Sequence, residues 1–261
     1  MLNFSSSLRF SGAMLGLCVA ATVFVSTPSS AKDIYEQVVS HDNRSADDIK
    51  RDAIDRPEEV LRFAGIKPGM QVADFLAADG YYSELLSHVV GAKGHVLLLN
   101  NTGYDYFSNN AWKERIDKHR LSNVEHRTID NDHLGLMNKS LDAVVMIKVY
   151  HDLFWTSDKD HWPKIDPATV MDQLARALKP GGILLLEDHS AKAGSGSSAA
   201  GTLHRIDEAF MRKDIESHGF AFVAKTDILR RPDDAMDQIS YKPPMLGKTD
   251  RYVYLFRKKA D

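Results

Sequence analysis

The chain is poor in cysteine, in net charge and in long apolar runs, and each shortage excludes something. A single cysteine, Cys18, lies in the amino-terminal segment, so no intrachain disulfide framework is built, and the chain from about Lys32 onward carries none. The formal charge is only −3 with a pI near 6.4, which is no electrostatic footprint for nucleic acid. One apolar run stands out, Ala13 to Val25, and it is short for a membrane span. No internal repeat appears.

That run follows Arg9 and precedes Ser26-Thr27-Pro28-Ser29-Ser30-Ala31, the order of a secretory signal with small residues at the cleavage positions. Residues 1–31 are therefore read as a signal peptide. Leu17 ahead of Cys18 disfavours lipidation, and the mature chain is expected to begin near Lys32, exported to a compartment of periplasmic type. It needs no stable membrane association after signal cleavage. Within 261 residues of 43% hydrophobic content, one sizeable core is expected.

Residues 32–66 read as a helical extension. Ile49, Ala53 and Ile54, then Val60, Leu61 and Ala64, fall at helical spacing, and Pro57 suits a helix's first turn. Beyond it, apolar runs predict strands at 71–75, 95–99, 124–128, 141–147, 183–187, 221–226 and 252–257. Helices are expected at 82–90, 110–121, 167–178 and 203–218. Two signals of the Lys-Pro-Gly type, at Lys67-Pro68-Gly69 and Lys179-Pro180-Gly181-Gly182, stop helices ahead of strands, because proline cannot extend the helix ladder and glycine reverses the chain. The alternation predicts a doubly wound α/β sheet of seven mostly parallel strands ending in an antiparallel hairpin.

The stretch Gln71 to Glu84, QVADFLAADGYYSE, reads as a strand, a tight loop and a helix, the arrangement that offers free N–H groups and a positive dipole to an anionic ligand. With the two Lys-Pro-Gly signals it resembles the class I S-adenosylmethionine (SAM) dependent methyltransferases. Tyr150-His151-Asp152, Glu187 to Gly194, Leu203 to Glu208 and Gly247 to Tyr252 resemble a smaller bacterial family of predicted, often exported, methyltransferases. The resemblance implies a methyltransferase-like domain over residues 67–261, SAM as cofactor and a small-molecule methyl acceptor. It implies no oligomeric state.

Carried over residue by residue, the resemblance assigns Asp74, Ala78 and Gly80 to the cofactor loop, Asn100 to the ribose hydroxyls and Asp130 to the adenine amino group. The three alternating glycines of the family fall on Leu76, Ala78 and Gly80, so only the last is kept, and glycine there permits positive φ. Asp79 reads either as a neighbour of the methionyl carboxylate or as a helix cap. His151, Asp152, His189 and His204 are the candidate catalytic residues, grouped near the carboxyl ends of the fourth and fifth strands. His151 is the first choice of base and His189 the second.

A metal bound by His151, His189, His204 and the aspartates is the sharper alternative. No short-spaced histidine pair appears, so no metal is assigned. Ala193 to Thr202, AGSGSSAAGT, reads as a flexible segment that could close as a lid. The competing functional class is a methyltransferase-like binding or accessory protein with a degenerate SAM site. The eroded glycine loop, and export away from cytoplasmic SAM, point toward it.

Overall fold

A computed structural model describes residues 1–2, 32–117, 120–159 and 161–260 of the chain. The proposed signal run and its cleavage positions lie outside the described residues. Among those described, no helix is long and apolar enough to cross a membrane.

In the extension, helices α1 (Ile34–Val39), α2 (Ala46–Asp55) and α3 (Pro57–Ala64) follow one another. The Ser45 side chain caps α2 by accepting the Asp48 N–H, and Pro57 opens α3. Val60, Leu61 and Ala64 are buried as the spacing predicts, but Ile49 and Ile54 are exposed. The inward side of α2 instead buries Asp48 and Asp55. An acidic face can turn inward here because arginines meet it: Arg115 pairs with Asp48 at 2.6 Å and Arg251 with Asp55 at 2.7 Å. Unpaired, those carboxylates would carry a large desolvation cost.

The sheet comprises β1 (Gln71–Phe75), β2 (His95–Asn100), β3 (Val124–Thr128), β4 (Leu141–Ile147), β5 (Leu178–His189), β6 (Phe220–Thr226) and β7 (Arg251–Lys258). Their order is β3-β2-β1-β4-β5-β7-β6. All neighbours are parallel except β7, which runs antiparallel to β5 and β6. Alternate residues of each strand enter opposite cores: Ala73, Phe75, Val144 and Leu184 pack on one face, Val72, Ala143, Val145 and Leu185 on the other. Burial on both faces explains why the strands read as continuous apolar runs.

Helix α4 (Tyr81–Val90) follows β1, α5 (Thr102–Phe107) and α6 (Trp112–Ile116) follow β2, α7 (Pro167–Ala177) precedes β5, and α8 (Ala200–Leu203) and α9 (Glu208–Ser217) precede β6. Three expectations are corrected. The single helix 110–121 is replaced by α5 and α6, because Asn101 caps a new helix by accepting the Tyr104 N–H at 2.9 Å. The helix 203–218 begins only at Glu208, because His204 is left-handed at φ +49 and ends α8. The first Lys-Pro-Gly is also not the helix stop: Gly65, at φ +70, caps α3, and Gly69, at φ +85, turns the chain into β1.

Candidate active site

The strand order reverses between β1 and β4, and ligands of such sheets lie beyond the strands' carboxyl ends at that point. A cavity of about 1440 Å³ opens there. Its floor is the loop after β1 together with Lys148, His151, Asp152 and His189, while Arg51 and Ile54 of α2 and the segment 239–251 form walls.

The loop after β1 keeps a glycine-type path with only one of the three glycines. Leu76, Ala78 and Gly80 all have positive φ, at +54, +53 and +80. For residues bearing a Cβ this costs roughly 1–2 kcal/mol each, so something must hold them. At Ala78 Asn100 does: its Nδ2 donates to the Ala78 carbonyl and its Oδ1 accepts the Ala78 N–H, both at 2.9 Å. Gly80 is favoured chiefly by its φ of +80, and a Cβ there would also press on the tip of the Leu98 side chain at 2.8 Å.

This arrangement corrects the role of Asn100. Its side chain is fully buried, and its Nδ2 also donates to Asp105 at 3.0 Å. Asp105 in turn accepts hydrogen bonds from Trp112 and Thr128. Asn100 is therefore committed to positioning the loop and is absent from the cavity lining. Asp130 is likewise outside the lining; it is exposed in a turn, accepting the Asp132 N–H at 3.0 Å. Helix α5 had no signal in the apolar pattern, and its Tyr106 and Phe107 stand exposed at the cavity where Asp130 was expected to act.

Asp74 lines the cavity, but its carboxylate also braces the start of α4, accepting the Ser83 hydroxyl at 2.7 Å. Burial pushes its pKa up to about 7, against the opposing effect of the Ser83 hydrogen bond. Asp79 is partly exposed and pairs with Arg115 at 3.0 Å, and its Oδ1 accepts the Tyr81 N–H at 3.3 Å, the helix-entry role. Arg51 lies 3.9 Å over the Tyr81 ring and pairs with Asp55 at 2.7 Å. Lys148 joins Asp55 at 2.9 Å, and Arg251 bridges Asp55 to Glu187. These basic groups were not singled out in the sequence: Arg51 pairs within α2, and only the fold brings Lys148 to Asp55, with both basic groups lining the cavity.

The four catalytic candidates all line the cavity. His151 lies between two carboxylates, with Nδ1 2.7 Å from Asp188 and Nε2 3.2 Å from Asp152. Burial lowers its pKa, but the two carboxylates outweigh this and hold it up at about 10. With both ring nitrogens occupied, His151 is not placed to take a proton from a substrate. Asp152 is buried, and the His151 charge with the His151, His204 and Tyr104 hydrogen bonds hold its carboxyl far below the usual range despite that burial. His189 has Nδ1 2.8 Å from the Thr249 hydroxyl. Burial first, then the charges of His151, Lys148 and Arg251, push its pKa well below the usual histidine value, so the ring is neutral. Of the expected lid, Gly201 and Thr202 reach the cavity, while Asp207 ties the other end by accepting the Gly194 N–H.

Residues 77–186 match the family model described as "Methyltransferase domain". The ubiquinone/menaquinone biosynthesis C-methyltransferase UbiE of Shewanella piezotolerans is 29% identical over 131 residues, 50% of this chain and 47% of that protein. The chain thus spans about half the length of the curated relatives it matches. Among solved structures, a SAM dependent methyltransferase from Aquifex aeolicus aligns with a TM-score of 0.59 at 22% identity, over 80% of this chain and 93% of that one. An S-adenosylmethionine dependent methyltransferase from Mesorhizobium loti gives 0.51 at 16% identity, over 76% and 95%. The structural likenesses carry the fold, and the matched segment runs from the β1 loop into β5. Residues 77–186 thus resemble a methyltransferase domain, and the sheet has the fold of these solved methyltransferases.

Proposed function

We propose that the protein is a SAM-dependent methyltransferase acting on a small molecule. The observation that carries this reading is the β1 loop: its three left-handed positions are kept at Leu76, Ala78 and Gly80 although two have lost glycine, and Asn100 is spent on holding the middle one, Ala78. Strain of that kind persists where the surrounding structure enforces it, which is common at ligand sites. The cavity, about 1440 Å³, exceeds the roughly 300–1,000 Å³ of an ordinary single-ligand pocket, leaving room for cofactor and acceptor together.

The residues present fit the cofactor. Arg51 offers a cation for its carboxylate, and Tyr106 and Phe107 offer aromatic surface for its adenine. When bound, SAM supplies an electrophilic methyl group. His189, neutral and on the cavity wall, would take the acceptor's proton, held only briefly because its pKa is lowered, while the acceptor bonds the methyl carbon and the carbon–sulfur bond of SAM breaks to leave the neutral thioether. The acceptor is read as a small molecule because the chain has no basic surface signature for nucleic acid. The competing reading, a binding protein without turnover, is less well supported, since decay would not keep so costly a loop path.

Label-transfer assays with methyl-labelled SAM and a panel of small hydroxyl- and enol-bearing acceptors test the proposal. Label appearing in one acceptor class supports it; SAM binding with no transfer to any acceptor would favour the binding-protein reading. We further propose export, supported by the order of Arg9, the Ala13 to Val25 run and Ala31. Mass spectrometry of protein from its host should find the amino terminus near Lys32, and an intact Met1 terminus would contradict export.

A further inference from the structure

The donor atoms around Asp152 converge in a way that hydrogen bonding alone does not require. His151 Nε2 lies 3.2 Å from Asp152 Oδ1, and His204 Nδ1 lies 3.4 Å from the same oxygen. All three ligand atoms fall within 4.8 Å of one another. Two donors bound tetrahedrally at the usual zinc distances stand about 3.3 Å apart, so two of the three spacings already suit a shared cation. The third, between His151 Nε2 and His204 Nδ1, lies within 4.8 Å.

The surroundings hold each donor in place. Asp188, fully buried, accepts the His151 backbone N–H at 2.9 Å and engages Nδ1 at 2.7 Å, which turns Nε2 toward Asp152. A carboxylate behind a histidine is the usual outer support of a metal-bound imidazole. Asp152 is oriented by the Tyr104 hydroxyl, which donates to Oδ2 at 2.6 Å, and by Trp155 Nε1, which donates to Oδ1 at 2.7 Å. His204 is kept in a left-handed conformation that costs energy and places its ring edge-on to His151, with centroids 5.4 Å apart. Among the described residues, no lysine or arginine pairs with Asp152 or Asp188 in the structure. Since all three donors line the cavity, further coordination positions face it.

We propose that His151 Nε2, Asp152 Oδ1 and His204 Nδ1 bind one divalent first-row transition-metal ion, which displaces the Nε2 proton of His151 to solvent while Nδ1–H stays on Asp188, the outer support. Two imidazoles and one carboxylate favour zinc, iron(II) or a related ion over magnesium or calcium, which take all-oxygen sets. The site is separate from the cofactor loop, and its existence does not depend on methyl transfer. Its consequence does rest on that reading: the acceptor would be a molecule with an ionisable oxygen, hydroxyl or enol, that binds the metal as a Lewis acid next to His189.

The test uses the full chain, stripped with chelator and titrated with cobalt(II) chloride, with visible d–d absorption and elemental analysis as readouts. One equivalent of cobalt, displaced by zinc, is expected. His204→Ala should weaken binding about a hundredfold or more, and Asp188→Asn by about 10- to 100-fold. His189→Ala, whose ring centroid is 6.1 Å from that of His151, should leave cobalt binding unchanged. Far-UV circular dichroism confirms that each variant is folded. Absence of a stoichiometric cobalt spectrum, or binding by folded His204→Ala equal to that of the unmodified chain, would overturn the proposal. Because no cofactor is present in the titration, failure here is distinct from failure of the methyltransferase reading.

Discussion

Asn100 clasps Ala78 by both of its backbone hydrogen-bonding groups, donating to the carbonyl and accepting from the N–H at 2.9 Å each. The pair ties the end of β2 to the loop after β1 and keeps Ala78 in a conformation that alanine disfavours. Asparagine suits this, because its amide carries a donor nitrogen and an acceptor oxygen on separate atoms, which a hydroxyl does not.

Asn100→Asp therefore should destabilise the protein, not strengthen a grip on ribose. The new carboxylate would leave the Ala78 carbonyl unpaired and stand beside Asp105, with which Asn100 shares a 3.0 Å hydrogen bond. A loss of about 1–3 kcal/mol is expected in denaturant unfolding at neutral pH. Unchanged stability together with tighter SAM binding would instead restore Asn100 to the ribose site.

Asp74 gives a pH signature. Its pKa is about 7 in the fold against an ordinary 3.8, so between those values the folded state keeps a proton that the unfolded state releases. Its contribution is therefore favourable at low pH and declines as pH rises from about 4 to about 7, by up to roughly 4 kcal/mol. Asp74→Asn, which can still accept the Ser83 hydroxyl, removes that penalty. The stability of the variant relative to the unmodified chain should rise between pH 5 and pH 8. A difference that stays flat over this range would show that Asp74 is not held protonated.

His189→Ala should lower turnover by about a hundredfold or more, the usual weight of a general base. Affinity for S-adenosylhomocysteine should stay nearly constant, because the lost group acts on the acceptor's proton. Equal losses in turnover and in S-adenosylhomocysteine affinity would place His189 in the cofactor site instead.

The strands were legible because both sheet faces are buried, so each strand is an apolar run bounded by turn residues. The grouping of His151, Asp152, His189 and His204 was legible because strand ends of one sheet share a rim. What stayed hidden depended on long-range pairing. The buried charges of α2 take their meaning from Arg115 and Arg251, 67 and 196 residues away, so Ile49 and Ile54 were wrongly favoured as its buried face. Asp188, Asp152 and His151 are adjacent or near the strand ends in sequence, yet nothing in their spacing says that one imidazole lies between two carboxylates. Likewise, a leucine and an alanine at glycine positions read as erosion, whereas the backbone path is retained.

The most direct measurement of the central claim is calorimetric titration of the full chain with S-adenosylhomocysteine, repeated on Gly80→Val. One site per chain is expected, with a dissociation constant in the micromolar range, about −8 kcal/mol. Loss of binding is expected in Gly80→Val, where side-chain atoms would collide with Leu98 and force the loop off its path. No heat of binding with the unmodified chain, or equal binding by a folded Gly80→Val, would contradict that claim.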